Sequence, residues 1–105
     1  MTIFHIAHAS EWADAVIRDE YRISSRGMTL DDVGYIHCSR ADQVDLVANS
    51  FYFDDTEALV LLHIDEARVP DLRVEDGFPH IYGPISPEWV TEAQPVSFID
   101  GTFRH

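Results

Sequence analysis

Apolar residues recur along the chain at spacings that switch between two and about 3.6, the mark of strands interspersed with helices. Ile3 to Ala7 alternates weakly and predicts a first strand, with His5 on the face opposite Phe4 and Ile6 and so not required in the core. Ser10 stands where it can cap a helix whose Trp12, Ala13, Val16 and Ile17 make a narrow apolar face, ending near Arg18 to Glu20. Tyr21 to Gly27 has no period and reads as irregular.

Thr29 and Asp32 have capping-box spacing for about one helical turn, and Gly34 suits the left-handed backbone that ends it. Tyr35 and Ile36 then predict a short strand running into the longest helix, with Ser39 as cap and Asp42 completing a second capping box. Ala41, Val44, Val47, Ala48 and Phe51 make its apolar stripe as far as about Phe53, where Asp54-Asp55-Thr56 breaks it.

Ala58 to Ile64 is apolar apart from His63 and predicts a central strand, on which His63 shares a face with Leu59 and Leu61. Leu72 to Glu75 is a short strand closed by Asp76-Gly77. In Phe78 to Ile85, bounded by prolines, a period of two puts His80 and Tyr82 on one face. Ser86-Pro87 starts one helical turn before a strand around Val90 to Ala93, and Asp100-Gly101 joins Val96–Ile99 to Thr102–Arg104 in a hairpin. Early helices and late strands predict an α+β fold in a single domain, residues 1–105, with a radius of gyration of roughly 13 Å.

Composition narrows the functional classes. Nineteen acidic residues against seven basic ones, all arginine, give a formal charge of −12. That balance disfavours nucleic acid and anionic membrane as partners, because their affinity comes mainly from phosphate neutralisation. Cys38 is the only cysteine, no apolar run approaches the ~20 residues of a membrane span, and no basic-apolar leader opens the chain, so a cytoplasmic location is expected.

Three histidines, His5, His37 and His80, fall on three separate predicted strands, whose convergence would build a cleft with near-neutral titrating groups. At the strand-to-helix junction, His37 is either a cleft residue or a hydrogen-bonded core histidine, and Ser39 either a ligand contact or only a cap. Zinc is disfavoured: His-x-x-x-His and Cys-x-x-Cys are absent and His5 with His8 is a weak pair, so no metal is assigned. Cys38 points opposite to His37 on a strand, which removes its base and makes it a buried thiol. A nucleotide-type ligand stacked on Tyr52, Tyr82, Trp12 or Tyr35 is the remaining possibility, and Arg40 is the one nearby charge that favours a phosphate.

Phe4-His5-Ile6, Trp12 with Ala15, Gly34-Tyr35-Ile36-His37-Cys38-Ser39, Gln43-Val44, Val47-Ala48-Asn49, Phe51-Tyr52, Leu61-Leu62 with Ile64-Asp65, and Phe78-Pro79-His80-Ile81-Tyr82-Gly83-Pro84 together resemble a bacterial family, domain of unknown function 952. The resemblance spans nearly the whole chain. That family is similar to compact members of the ADP-ribosyltransferase superfamily, whose relatives bind NAD in a cleft between two small, mostly antiparallel sheets. The resemblance implies an ADP-ribosyltransferase-like split sheet with two to three helices, NAD as cofactor, His5, His37 and His80 as catalytic residues, and Ser39, Arg40, Asn49, Tyr52 and Tyr82 as cofactor contacts. One departure stands out: where many of those transferases hold the nicotinamide ribose with a glutamate on a late strand, this chain has His80 and Tyr82. The resulting expectation is an NAD or ADP-ribose-binding domain acting at the nicotinamide ribose, with the protein acceptor left open. Its alternatives are a non-catalytic small-ligand or protein-binding domain and a metal-dependent hydrolase.

Overall fold

Leu59 to Asp65 forms an inner strand of an antiparallel sheet in the computed structural model, which describes residues 1–105. Its apolar run is continuous because both faces are covered. Val60, Leu62 and Ile64 pack in a cluster with Ile3, Ala15, Tyr21, Ile36 and Ile81, whereas Leu59 and Leu61 pack in a second cluster with Ile6, Val44, Val47, Ala48 and Tyr52.

In chain order the elements are β1 (Thr2–His8), α1 (Ala9–Arg18), β2 (Ile23–Ser25), β3 (Met28–Thr29), α2 (Leu30–Val33), β4 (Ile36–His37), α3 (Val44–Phe51), β5 (Leu59–Asp65), β6 (Leu72–Glu75), β7 (Phe78–Ile81), β8 (Val90–Ile99) and β9 (Thr102–Arg104). Single 3₁₀ turns lie at Ala41–Gln43, Glu66–Arg68 and Pro87–Trp89. One sheet has the order β1-β5-β8-β9, a second the order β4-β7-β6, and β2 with β3 makes a small hairpin, all antiparallel. This is the α+β class the sequence predicts, with a radius of gyration of 12.6 Å.

The two larger sheets touch at one seam. Phe4 and Ser39 exchange backbone hydrogen bonds at 2.8 and 2.7 Å. If that ladder continued, the next hydrogen-bonded pair would be Ile6 with His37. Instead the His37 carbonyl accepts from the His5 imidazole at 2.7 Å, and the Ile6 carbonyl accepts from the Tyr52 hydroxyl at 3.4 Å. Side chains thus satisfy the carbonyls that the parting of the sheets leaves without ladder partners.

Several local signals act as the sequence predicts. Thr29 and Asp32 form the capping box, Gly34 ends α2 at φ 95°, and Ser86 caps the turn that starts at Pro87. Asp76-Gly77 and Asp100-Gly101 all have positive φ, as a two-residue type I′ hairpin demands.

Other boundaries differ. Helix α1 begins at Ala9 with His8 as its cap residue, so Ser10 lies inside it and Ala15 with Trp12 packs inward. Val16 and Ile17 are exposed. Tyr21 to Gly27 is not irregular: Tyr21 is buried and bridges Ile85, and Ile23–Ser25 pairs with β3. Ser39 is a seam residue and not a cap. The box there is made by Gln43, whose side-chain oxygen accepts from the Arg40 N–H at 2.8 Å, so a 3₁₀ turn precedes a helix confined to Val44–Phe51, with Ala41 and Phe51 exposed. The strand around Val90 and the segment Val96–Ile99 are one strand, β8. Pro95 fits it because β9 pairs only with Ser97 to Ile99, leaving the other edge open at the proline.

Candidate functional site

Beyond the seam the parted backbone opens a cleft of about 190 Å³, walled by β1, the β2–β3 hairpin, β4 and α3. His5, His37, Ser39 and Tyr52 line it, together with Ile6, Ser24, Ser25, Met28, Val33, Tyr35, Val47 and Phe51. Rings, hydroxyls and imidazoles therefore face one another with no carboxylate and no arginine among them.

The two imidazoles are in different states. A carbonyl only accepts, so the bond to the His37 carbonyl places a proton on His5 Nδ1. His5 Nε2 lies 3.1 Å from the Tyr21 hydroxyl, which donates to it. Burial pushes the His5 pKa from 6.5 down to about 4, against the smaller upward pull of the His37 carbonyl, and burial raises the Tyr21 phenol well above its ordinary value. His5 is accordingly a neutral imidazole in one fixed tautomer with both nitrogens committed. The expectation that it stands apart from the core is corrected: it shares a face with Ile3 and Ala7, and that face of β1 is covered.

His37 is half-buried, and its imidazole makes no hydrogen bond to the protein. Desolvation, with the neighbouring His80 charge as a lesser cause, lowers its pKa below 6.5, so near neutral pH it offers a free lone pair and an N–H. Tyr52 is buried, and its phenol is pushed up to about 12 by desolvation and the charges of Glu11 and Asp55. It is a donor throughout the neutral range.

The family model described as Protein of unknown function (DUF952) matches residues 6–93. The chain belongs to this family. No curated protein matches it. The crystal structure of protein CC0527 from Caulobacter crescentus is similar to this DUF952 chain at 28% identity with a TM-score of 0.83, covering 99% of this chain and 94% of that one. The solution structure of CC0527 is similar at 26% identity with a TM-score of 0.78, covering 97% and 90%.

Four sequence-predicted site residues of this DUF952 member lie outside the cleft. Arg40 pairs with Glu66, which occupies its charge. Asn49 is exposed on α3 and absent from the lining. Tyr82 donates to Glu75 and lies under the Arg73 guanidinium, 4.6 Å from its ring centre. His80 is buried behind Tyr35, stacked at 4.0 Å and 10°, with its ring centre 5.5 Å from that of His37. Its Nδ1 has no hydrogen-bond partner and lies 4.0 Å from a Glu75 oxygen. The wall holds two of the three predicted imidazoles, and the third supports it from behind.

The hairpin serines, Met28 and the dyad partner Tyr21 escaped the sequence reading because their segment has no hydrophobic period. A signal was present in Gly27, whose φ of 75° turns the hairpin. Cys38 is buried, and burial raises its thiol pKa strongly, so it has no nucleophilic role. His63 Nε2 donates to the Gln94 side-chain oxygen at 2.9 Å, and the ring packs edge-on to Phe4, a structural role.

Proposed function

We propose that this DUF952 chain is an NAD or ADP-ribose-binding domain with an ADP-ribosyltransferase-like arrangement, its cleft receiving a ring-and-ribose unit. The observation that carries this reading is the free imidazole of His37 among the faces of Tyr35, Phe51 and Tyr52 and the hydroxyls of Ser24, Ser25 and Ser39. Flat rings bind heterocycles by stacking, and uncharged donors and acceptors suit ribose hydroxyls. At about 190 Å³ the cleft is smaller than the roughly 300–1,000 Å³ of a site that encloses a drug-sized ligand. It takes one end of a dinucleotide and leaves the phosphates outside, as the lack of lining cations requires.

In this reading His37 is the residue that touches ligand, holding or receiving a ribose proton, while His5 and Tyr21 position the β4 backbone that carries it. Cleavage at the nicotinamide ribose would develop positive charge on the sugar. The lining supplies no carboxylate to stabilise it, and this favours, as the second reading, a domain that binds the ligand without turning it over.

Calorimetry with NAD and ADP-ribose at millimolar concentration, together with nicotinamide release during incubation with NAD, tests both. Binding that is lost in His37→Ala is the expected result, and release by wild type but not His37→Ala makes the domain an enzyme. Absence of binding by either compound overturns the nucleotide reading.

A further inference from the structure

The wall that carries His37 continues past the cleft. Register sets His37 of β4 opposite His80 of β7, and His80 opposite Arg73 of β6, so the three side chains share one face of the second sheet. Glu75 and Phe78, paired two residues further along, point the same way. Tyr35 stacks on the His80 ring and Tyr82 lies beside it, ring centres 6.5 Å apart. The opposite face of this sheet is turned to the core, where Ile36, Ile81 and Leu72 pack. The His80 side is therefore an outward face of rings, with Arg73 on its edge strand.

Arg73 stands apart from most arginines of this acidic chain. Arg18, Arg22, Arg26 and Arg40 are each paired with carboxylates, and Arg68 donates to the Glu88 carbonyl. Arg104 lies on β9, at the edge of the other sheet. Arg73 is exposed and has no carboxylate partner; its guanidinium rests over the Tyr82 ring, 4.6 Å from the ring centre. A guanidinium held against a ring keeps N–H groups available to fork onto a phosphate. Two strand spacings, roughly 10 Å, separate the Arg73 and His37 backbones, close to the length of a nucleotide from ring to phosphate.

A second group on this face lacks a partner. His80 is buried and its Nδ1 makes no hydrogen bond, because the Glu75 oxygen 4.0 Å away accepts from the Tyr82 hydroxyl. A phosphate beside Arg73 would accept from that hydroxyl instead and release the Glu75 oxygen to the His80 N–H, giving every donor an acceptor. Glu75 is the one carboxylate on the face, and this exchange turns it toward the imidazole.

We propose that Arg73 and Tyr82 form a phosphate subsite on the outward face of β4, β7 and β6, continuous with the wall that carries His37. The cleft has no cation among its lining residues, so the phosphates of a ligand held there must be met beyond its mouth. That the phosphate belongs to a nucleotide rests on the function proposed above; the subsite itself does not.

Inorganic pyrophosphate, titrated into the full chain and followed by NMR, tests the subsite directly. The Arg73 Nε–H and Tyr82 ring signals should shift, and affinity should fall about tenfold in Arg73→Gln, the worth of a hydrogen bond between charged groups. Arg104→Gln makes the same change in net charge elsewhere and should leave affinity unchanged. Signals that do not move, equal affinity in wild type and Arg73→Gln, or an equal loss in Arg104→Gln overturns the subsite. Calorimetry with NAD and with nicotinamide riboside, which lacks a phosphate, separates the two readings. Arg73→Gln should weaken NAD about tenfold and leave the riboside unchanged, whereas His37→Ala weakens both. NAD binding that needs His37 but not Arg73 overturns the subsite and leaves the nucleotide reading standing. Pyrophosphate bound at Arg73 with no binding of NAD leaves the subsite standing and removes the nucleotide reading.

Discussion

His5 Nδ1 donates to the carbonyl of His37 across 2.7 Å, joining residues 32 positions apart at the point where two sheets separate. One imidazole thereby completes the backbone hydrogen bonding that the ladder abandons, and it holds in place the strand carrying the other imidazole. A cleft at this seam needs such a device, since a buried carbonyl without a partner is costly.

His5→Phe leaves the His37 carbonyl and the Tyr21 hydroxyl without partners. Each loss costs about 1–3 kcal/mol, so the variant should be destabilised by about 2–6 kcal/mol in urea unfolding. Tyr21→Phe removes only the hydroxyl that serves Nε2 and should cost about 1–2 kcal/mol. Equal stabilities for wild type and His5→Phe would show that the bond across the seam contributes nothing.

The same histidine sets an acid limit. Its pKa is about 4 in the folded chain and 6.5 when unfolded, so between those values the unfolded chain binds the extra proton. Its contribution is complete above 6.5 and is lost as pH falls toward 4, a change of about 3 kcal/mol. Unfolding free energies of wild type and His5→Phe should converge as the solution is acidified through that window. A constant difference between them would mean that His5 titrates normally.

His37→Ala separates binding from folding. The ring makes no hydrogen bond to the protein, so stability should change by less than about 1 kcal/mol, while affinity for NAD falls at least about tenfold. Stability is read from urea denaturation and affinity from calorimetry. A large loss of stability with affinity retained would make His37 a packing residue.

Cys38 is sealed between β4 and the seam, and its raised pKa suppresses the thiolate. A thiol reagent should label native protein only as fast as the chain opens, and at once in urea. Rapid labelling of the native state would place Cys38 in reach of the cleft.

Much of the fold was legible because its signals are local. Asp-Gly turns, the Thr29–Asp32 box, Gly34 and the apolar run of β5 each act through a few neighbouring residues, and each formed as its chemistry requires. Helix α3 shows the limit: Ser39 has good capping chemistry, but the pairing with Phe4 claims its backbone, and the cap shifts to Gln43 and Arg40. A partner 35 residues away in sequence outweighed a local preference.

The order of residues determined by itself that His5 stands within the first strand, His37 and Ser39 at the end of a short strand and Tyr52 near the end of a helix, and that the molecule is an acidic α+β domain without a long apolar helix. Only the tertiary structure decided which of these groups are free. Period two tells which residues share a face but not whether that face is covered, and both faces of β1 are. A sequence shows charges but not their partners, so Arg40 turned out to belong to Glu66 and the Asp55 carboxylate to His8 and Arg26. Burial and pairing set whether an imidazole is locked, as His5 is, or available, as His37 is, and both depend on contacts between residues far apart along the chain.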